Sequence, residues 1–152
     1  MSALSFYEKS AWGTFIALSV LGGIYFSAVW ELWAAGQLIA PAVFGLALGF
    51  TIFLVVVLVV FHVLIAIVDR PGDEDERDRL IGYRATQWSS FALFAGVISI
   101  VGLALFAGVL EDSALHALLY SPMAIIQLLM IVVLAAQLLE LLVRIILYRR
   151  GT

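Results

Sequence analysis

Two ionisable side chains stand inside long apolar runs of this 152-residue chain: His62 and Glu140. An imidazole and a carboxylate are the groups that carry protons, hold cations or fix a polar head group, and charge inside an apolar run is costly enough to mark function. His62 lies eight residues before Arg70, and Glu140 nine before Arg149. At the helical rise both sit about 12–14 Å from the ends of their helices expected at the cytoplasmic side. Each has company at helical spacing. Asp69 follows His62 by seven residues, almost on its face, and Gln137, Glu140 and Arg144 form an i, i+3, i+7 stripe. Tyr83, Arg84, Gln87, Ser89 and Ser90 cluster at the start of a later apolar run. One reading is a polar half-cavity for protons, a cation or a head group. The plainer reading pairs Glu140 with Arg144 and makes His62 a satisfied packing histidine.

Several chemistries drop out. One His and one Glu fall short of the three or four ligands usual for zinc, so no metal is expected. The other histidine, His116, belongs to the far end of its run, too distant to share an intra-chain haem with His62. A haem between subunits, each giving His62, stays open, but no cofactor is expected. There is no cysteine, hence no disulfide or thiol redox site. No nucleophile–base constellation or phosphate loop is present, so the expectation is a non-enzyme.

The elements that must position these residues follow from composition. Only 12% of residues are charged and 64% are hydrophobic, against about 25% charged in soluble domains. Uncharged stretches run 10–30, 32–68, 85–110 and 113–139, each long enough for a spanning helix of about 20 residues. This excludes a soluble enzyme or a nucleic-acid binder. The runs are continuous rather than alternating, which excludes barrel strands. The expected fold is an all-α membrane protein: one domain over 1–152, a four-transmembrane-helix bundle with spans near 10–35, 40–68, 79–109 and 114–148, and a charged loop at 69–78. The first span is too long for a signal peptide, and its leader holds one Lys beside a Glu.

All eight basic residues fall at the start of span 1, around the junction of spans 2 and 3, or at the close of span 4. The positive-inside rule then places both termini and the middle loop in the cytoplasm, and the bacterial inner membrane is the expected location. Trp30 and Trp33 mark the outer interface, and Tyr7, Trp12, Tyr83, Trp88 and Tyr148 the inner one. Pro41 suits the first turn of span 2. Pro71-Gly72 ends that helix, and Asp73 with Glu76 has capping-box spacing, which starts helix 3 near residue 74. Pro122 kinks span 4.

The segment Tyr7-Glu-Lys-Ser-Ala-Trp-Gly-Thr-Phe15 recurs as Tyr83-Arg-Ala-Thr-Gln-Trp-Ser-Ser-Phe91, an offset of 76, half the chain. Ser10 then corresponds to Thr86. Both copies enter from the same side, so the expectation is a parallel tandem repeat of two helical hairpins. Chance alignment of interface aromatics is the alternative. Gly45 and Gly49, Ala92 and Gly96, and Ala104 and Gly108 have the small-xxx-small spacing that lets helices approach closely, within the chain or between chains.

Residues 69–84 hold ten of the nineteen charges. The D-E-D start lacks the remaining ligands of a calcium loop. Asp73, Glu74, Asp75, Glu76, Arg77, Asp78, Arg79 and Arg84 form a charged collar that begins helix 3 above the membrane, with Asp73/Arg77 and Asp75/Arg79 as i, i+4 pairs. Glu31, Glu111, Asp112 and His116 make a small acidic patch outside. Asp75-Glu76-Arg77-Asp78-Arg79-Leu80-Ile81, followed by Arg84-Ala85, resembles a family of small bacterial four-span membrane proteins of unknown function, which carry a D-E-R-[D/E]-x-x-I element before the third span. The resemblance covers about 20 residues and the layout. It brings no activity. It implies the four-span fold and, as for some members, pairing with a soluble transcriptional regulator, which a docking collar would suit.

The expected function is therefore an interaction protein: an accessory subunit or adaptor whose partners are the bilayer, other membrane subunits or itself, and a soluble cytoplasmic protein. The alternative is an oligomeric small channel or transporter using His62 and Glu140. A lipid- or quinone-acting enzyme ranks third. Lipid contacts are expected throughout.

Overall fold

The structure is a computed structural model, and it describes residues 6–69, 75–109 and 114–150. Asp73, Glu74, the Pro71-Gly72 turn, Glu111 and Asp112 lie outside the described residues. The helices are α1 (Phe6–Ala34), α2 (Ala40–Val68), α3 (Glu76–Val109), α4 (Ala114–Leu119) and α5 (Pro122–Arg150). All but α4 are long and apolar enough to cross a membrane. The all-helical fold with four long apolar helices read from composition is the one observed.

Helix ends follow local chemistry. α1 closes on Gly36, whose φ of 66° is open to glycine without steric cost. The amides of Gly36 and Gln37 donate to Trp33 and Leu32 carbonyls at 2.9 and 2.8 Å, a Schellman pattern that satisfies the last turn. α2 begins from extended Ile39 with Pro41 in its first turn, as expected. α3 starts at Glu76, where the Asp75 amide donates to Asp78 Oδ2 at 3.4 Å. The predicted Asp73–Glu76 pair lies outside the described residues through Asp73. Span 4 is broken rather than kinked: Tyr120 and Ser121 separate α4 from α5. Pro122 has no N–H to continue the ladder and disfavours helical geometry in Ser121, so a new helix begins at the proline.

Packing runs α2–α1–α5–α3. α3 packs most extensively on α5, α5 on α1, and α1 on α2, while α2 and α3 do not close the fourth side. The bundle is an open row. The buried residues of α1 are Glu8, Ala11, Leu18, Gly22, Tyr25 and Val29. Their steps of three, four and seven follow a heptad seam, the spacing of helices crossing at a shallow left-handed angle. In α2 only Val43 is buried. Its exposed residues, including Ile52, Phe53, Val60 and Ile67, form an outward apolar face of the kind that meets lipid at no cost.

Close approach is set by glycines that the sequence pattern did not single out. A Cβ on Gly13 would lie 1.7 Å from the Phe61 ring, and one on Gly22 would lie 2.5 Å from Leu134. Gly96 does work this way, against Val132 at 2.5 Å, and Gly108 meets the Tyr120 hydroxyl at 2.8 Å. Gly45 and Gly49 do not: nothing lies within 4 Å of either position. Their small-residue face is on the outside of the row, so within the chain they are not packing glycines.

Candidate functional site

Contacts from four helices gather residues 8–9, 69, 77 and 148–149 at one end of the row. Lys9 pairs with Asp69, Glu8 lies 3.8 Å from Arg149, and Arg77 donates to the Tyr148 carbonyl at 3.4 Å. The Arg149 guanidinium stands 5.3 Å over the Trp12 ring, a favourable placement of a cation on an indole face. We call this the basic end.

Just inside it, α1, α2 and α5 enclose a cavity of about 250 Å³ lined by Tyr7, Ser10, Thr14, His62, Gln137, Glu140, Arg144 and Tyr148, with Ala11 and Leu141. The predicted His62, Gln137, Glu140 and Arg144 therefore share one space. Asp69 does not join them. It caps α2 in extended conformation and is held by Lys9, because the end of the helix turns its side chain toward α1.

His62 is held from two sides. Nδ1 lies 2.7 Å from the Leu58 carbonyl, which only accepts, so Nδ1 carries the hydrogen. Nε2 lies 3.0 Å from Ser10 Oγ and, in the neutral ring, accepts the hydroxyl hydrogen. The α1–α2 approach at Gly13, one turn along from Ser10, sets this distance. Ser10 and His62 have the separation of a nucleophile and its base. The second ring nitrogen, however, faces a helix carbonyl where an acyl-transfer triad has a carboxylate.

Glu140 Oε1 accepts from Arg144 at 2.6 Å and from Thr86 Oγ1 at 3.3 Å, tying α5 to α3. The carboxylate side chain is 16% exposed and that of Arg144 39%. Arg144 Nε is buried with no acceptor, so the guanidinium retains a donor for a ligand or water in the cavity. A carboxylate balanced by a guanidinium, beside an imidazole and the Gln137 amide, is chemically a hydrogen-bonding chamber. The Glu140–Arg144 pairing of the plainer reading and the shared cavity of the functional one coexist.

Ser10 and Thr86 occupy matching positions of the repeated segments, and each bonds the ionisable residue of the long helix that follows: His62 in one half, Glu140 in the other. Sequence reasoning noted the hydroxyl match without its consequence. It missed Tyr7, Thr14 and Tyr148 as cavity lining and Lys9 as the partner of Asp69. The one available signal was that Tyr7 and Ser10 lie in the repeated segment.

In the collar, Asp75, Glu76, Arg77, Arg79 and Arg84 are exposed and Asp78 is half-buried. Arg77 turns to the end of α5, and Asp75 and Arg79 form no ion pair among the described residues. At the opposite end His116 stacks on Tyr120 at 4.0 Å, and its Nδ1 donates to the Ala107 carbonyl at 3.1 Å. Glu31 of the outer acidic patch lies on α1. Among the described residues no group of three potential ligands is placed to hold a metal ion.

No protein-family model matches this chain, and neither does any curated protein or solved structure.

Proposed function

We propose that the chain is a non-enzymatic membrane protein that works by association, as an accessory subunit or adaptor in the bacterial cytoplasmic membrane, with both termini in the cytoplasm. The observation that supports this is the α2 face. It is the outermost helix of an open row, with one buried residue, and its Gly45 and Gly49 have nothing opposite them. Lipid supplies no hydrophobic drive between helices, so close backbone approach is what recruits a neighbour. A helix of another subunit, or of a second copy, seats there. The exposed collar residues Glu76, Arg79 and Arg84 are a second surface for a soluble partner, in keeping with the family resemblance. The paired contacts of Ser10 and Thr86 favour descent from a parallel tandem repeat.

Because the chain has no cysteine, Gly49→Cys introduces a single reactive thiol. Crosslinking in native membranes is expected to capture a discrete species, lost in a Gly45→Val/Gly49→Val variant crosslinked from a neighbouring Ile52→Cys. A chain that stays uncrosslinked and purifies alone and monomeric from native membranes overturns the proposal.

A second reading, an oligomeric channel or transporter, is favoured by a run of cavities along the α1–α5 seam. The polar cavity shares Gln137 with a central one of about 170 Å³, and that one shares Phe26 with a third of about 310 Å³ at the opposite end. Proteoliposome flux that disappears in His62→Ala and Glu140→Gln supports it; no flux, or flux unchanged by both, removes it.

A further inference from the structure

The third cavity, at the end opposite the basic one, is lined by Gln127, a residue whose amide is only half satisfied. Gln127 on α5 is 6% exposed and accepts a hydrogen bond from the Tyr25 hydroxyl through Oε1 at 2.9 Å. Its amide nitrogen is buried and has no partner. Turning the amide over exchanges which atom is left, but Tyr25 engages only one of the two in either orientation. A buried polar group without a partner is disfavoured by about 1–3 kcal/mol, and more in lipid, where no water competes to satisfy it. Such groups are rare and call for an explanation.

Tyr25 lines the central cavity, whereas Gln127 lines the outer one. That outer space, about 310 Å³, is otherwise apolar, and its aromatic side is Phe26, Trp30 and Trp33 of α1. The two indoles meet edge to face at 5.2 Å. Its floor and far wall are Leu38, Leu118, Leu128 and Ile131. A flat conjugated ring fits between indole and aliphatic walls, where ring contacts add to simple burial. One carbonyl on that ring would satisfy the leftover amide hydrogen. A saturated acyl chain would fill the volume but gain nothing from the aromatic wall.

We propose that the α1–α5 seam at this end is a binding site for a lipophilic ring carbonyl of the quinone class, with Gln127 as donor and Trp30 and Trp33 as the ring wall. This is independent of the interaction and transport readings.

The site reports on itself, because two of the four tryptophans line it. In lipid nanodiscs a Trp12→Phe/Trp88→Phe variant leaves only those two. Titration with duroquinone is expected to quench them along a saturable curve. Durene, the same ring without carbonyls, should fail to displace the quinone. Gln127→Leu should weaken binding by about five- to tenfold, the worth of one hydrogen bond. Leu128→Phe, which narrows the cavity and keeps it apolar, should abolish saturation even if Gln127→Leu is poorly folded. Quenching that is linear in quinone and indifferent to both substitutions overturns the proposal. So does displacement by durene, or by methyl laurate at equal concentration, which would assign the space to hydrocarbon or to a lipid ester.

Discussion

The two hairpins of this molecule begin alike and end differently. In the first, the Ser10 hydroxyl of α1 bonds His62 of α2; in the second, the Thr86 hydroxyl of α3 bonds Glu140 of α5. The contact scheme repeats, but the packing does not. α1 and α5 pack together as the interior pair, while α2 and α3 flank them without meeting extensively. A strict two-fold along the membrane normal would match the α1–α5 seam with an equal α3–α2 seam. Its absence leaves α2 and α3 flanking the α1–α5 pair, and the buried Tyr25–Gln127 bond falls on the α1–α5 seam. The carboxylate also acquires Arg144, a charge with no counterpart near His62. In the half with the imidazole, a hydroxyl and a carbonyl hold the ring.

Four perturbations sharpen or break this comparison. The largest effect is expected at Gly13. Gly13→Val drives a branched side chain into the Phe61 ring and should lower stability by about 3 kcal/mol, the upper range for overpacking, as measured by thermal unfolding in detergent. Gly96→Val against Val132 should cost somewhat less. A neutral Gly13→Val would mean that the α1–α2 contact is no tighter than that of the second hairpin.

Arg144→Leu comes next. It leaves a mostly buried carboxylate with Thr86 alone, and a loss of about 2 kcal/mol is expected, below the figure for a fully buried pair because the guanidinium is partly exposed. Glu140→Gln in the same background should recover most of that loss; failure to do so would show that packing, not charge, couples these residues.

The two matching hydroxyls are the direct test of equivalence. Ser10→Ala should cost about 1 kcal/mol, the worth of a neutral hydrogen bond, and Thr86→Ala about half as much, because its bond to the Glu140 carboxylate is exposed and long at 3.3 Å. Reversal of that order in equilibrium unfolding would give Thr86 the greater structural role.

The smallest effect on the isolated chain, and opposite in sign, is expected from Gly45→Ala and Gly49→Ala. With nothing opposite either position, each should stabilise α2 by up to about 1 kcal/mol through helix propensity. Crosslinking in membranes should weaken if another helix packs there. Unfolding of the monomer in detergent and association in native membranes separate the two contributions.

Four long helices, their approximate limits and the two intramembrane ionisable residues were legible in the linear order. Continuous apolar runs and prolines act within a few residues of themselves, and the bilayer admits few alternatives for an uncharged run of twenty. Pro122, which in the linear order predicts a kink, instead separates two helices. Which face of each helix turns inward was not legible. Nearly every residue of a membrane helix is apolar, so periodicity carries little contrast, and Gly45-x-x-x-Gly49 looked as good a packing face as the positions that do pack.

Only tertiary structure decided that Asp69 answers Lys9 instead of His62, that Gly13 and Gly22 set the close approaches, and that Tyr25 finds Gln127 across 102 positions of chain. Such pairings depend on which helices become neighbours. The order α2–α1–α5–α3 follows from side-chain fit along whole seams, a property of two helices together that neither sequence segment contains alone.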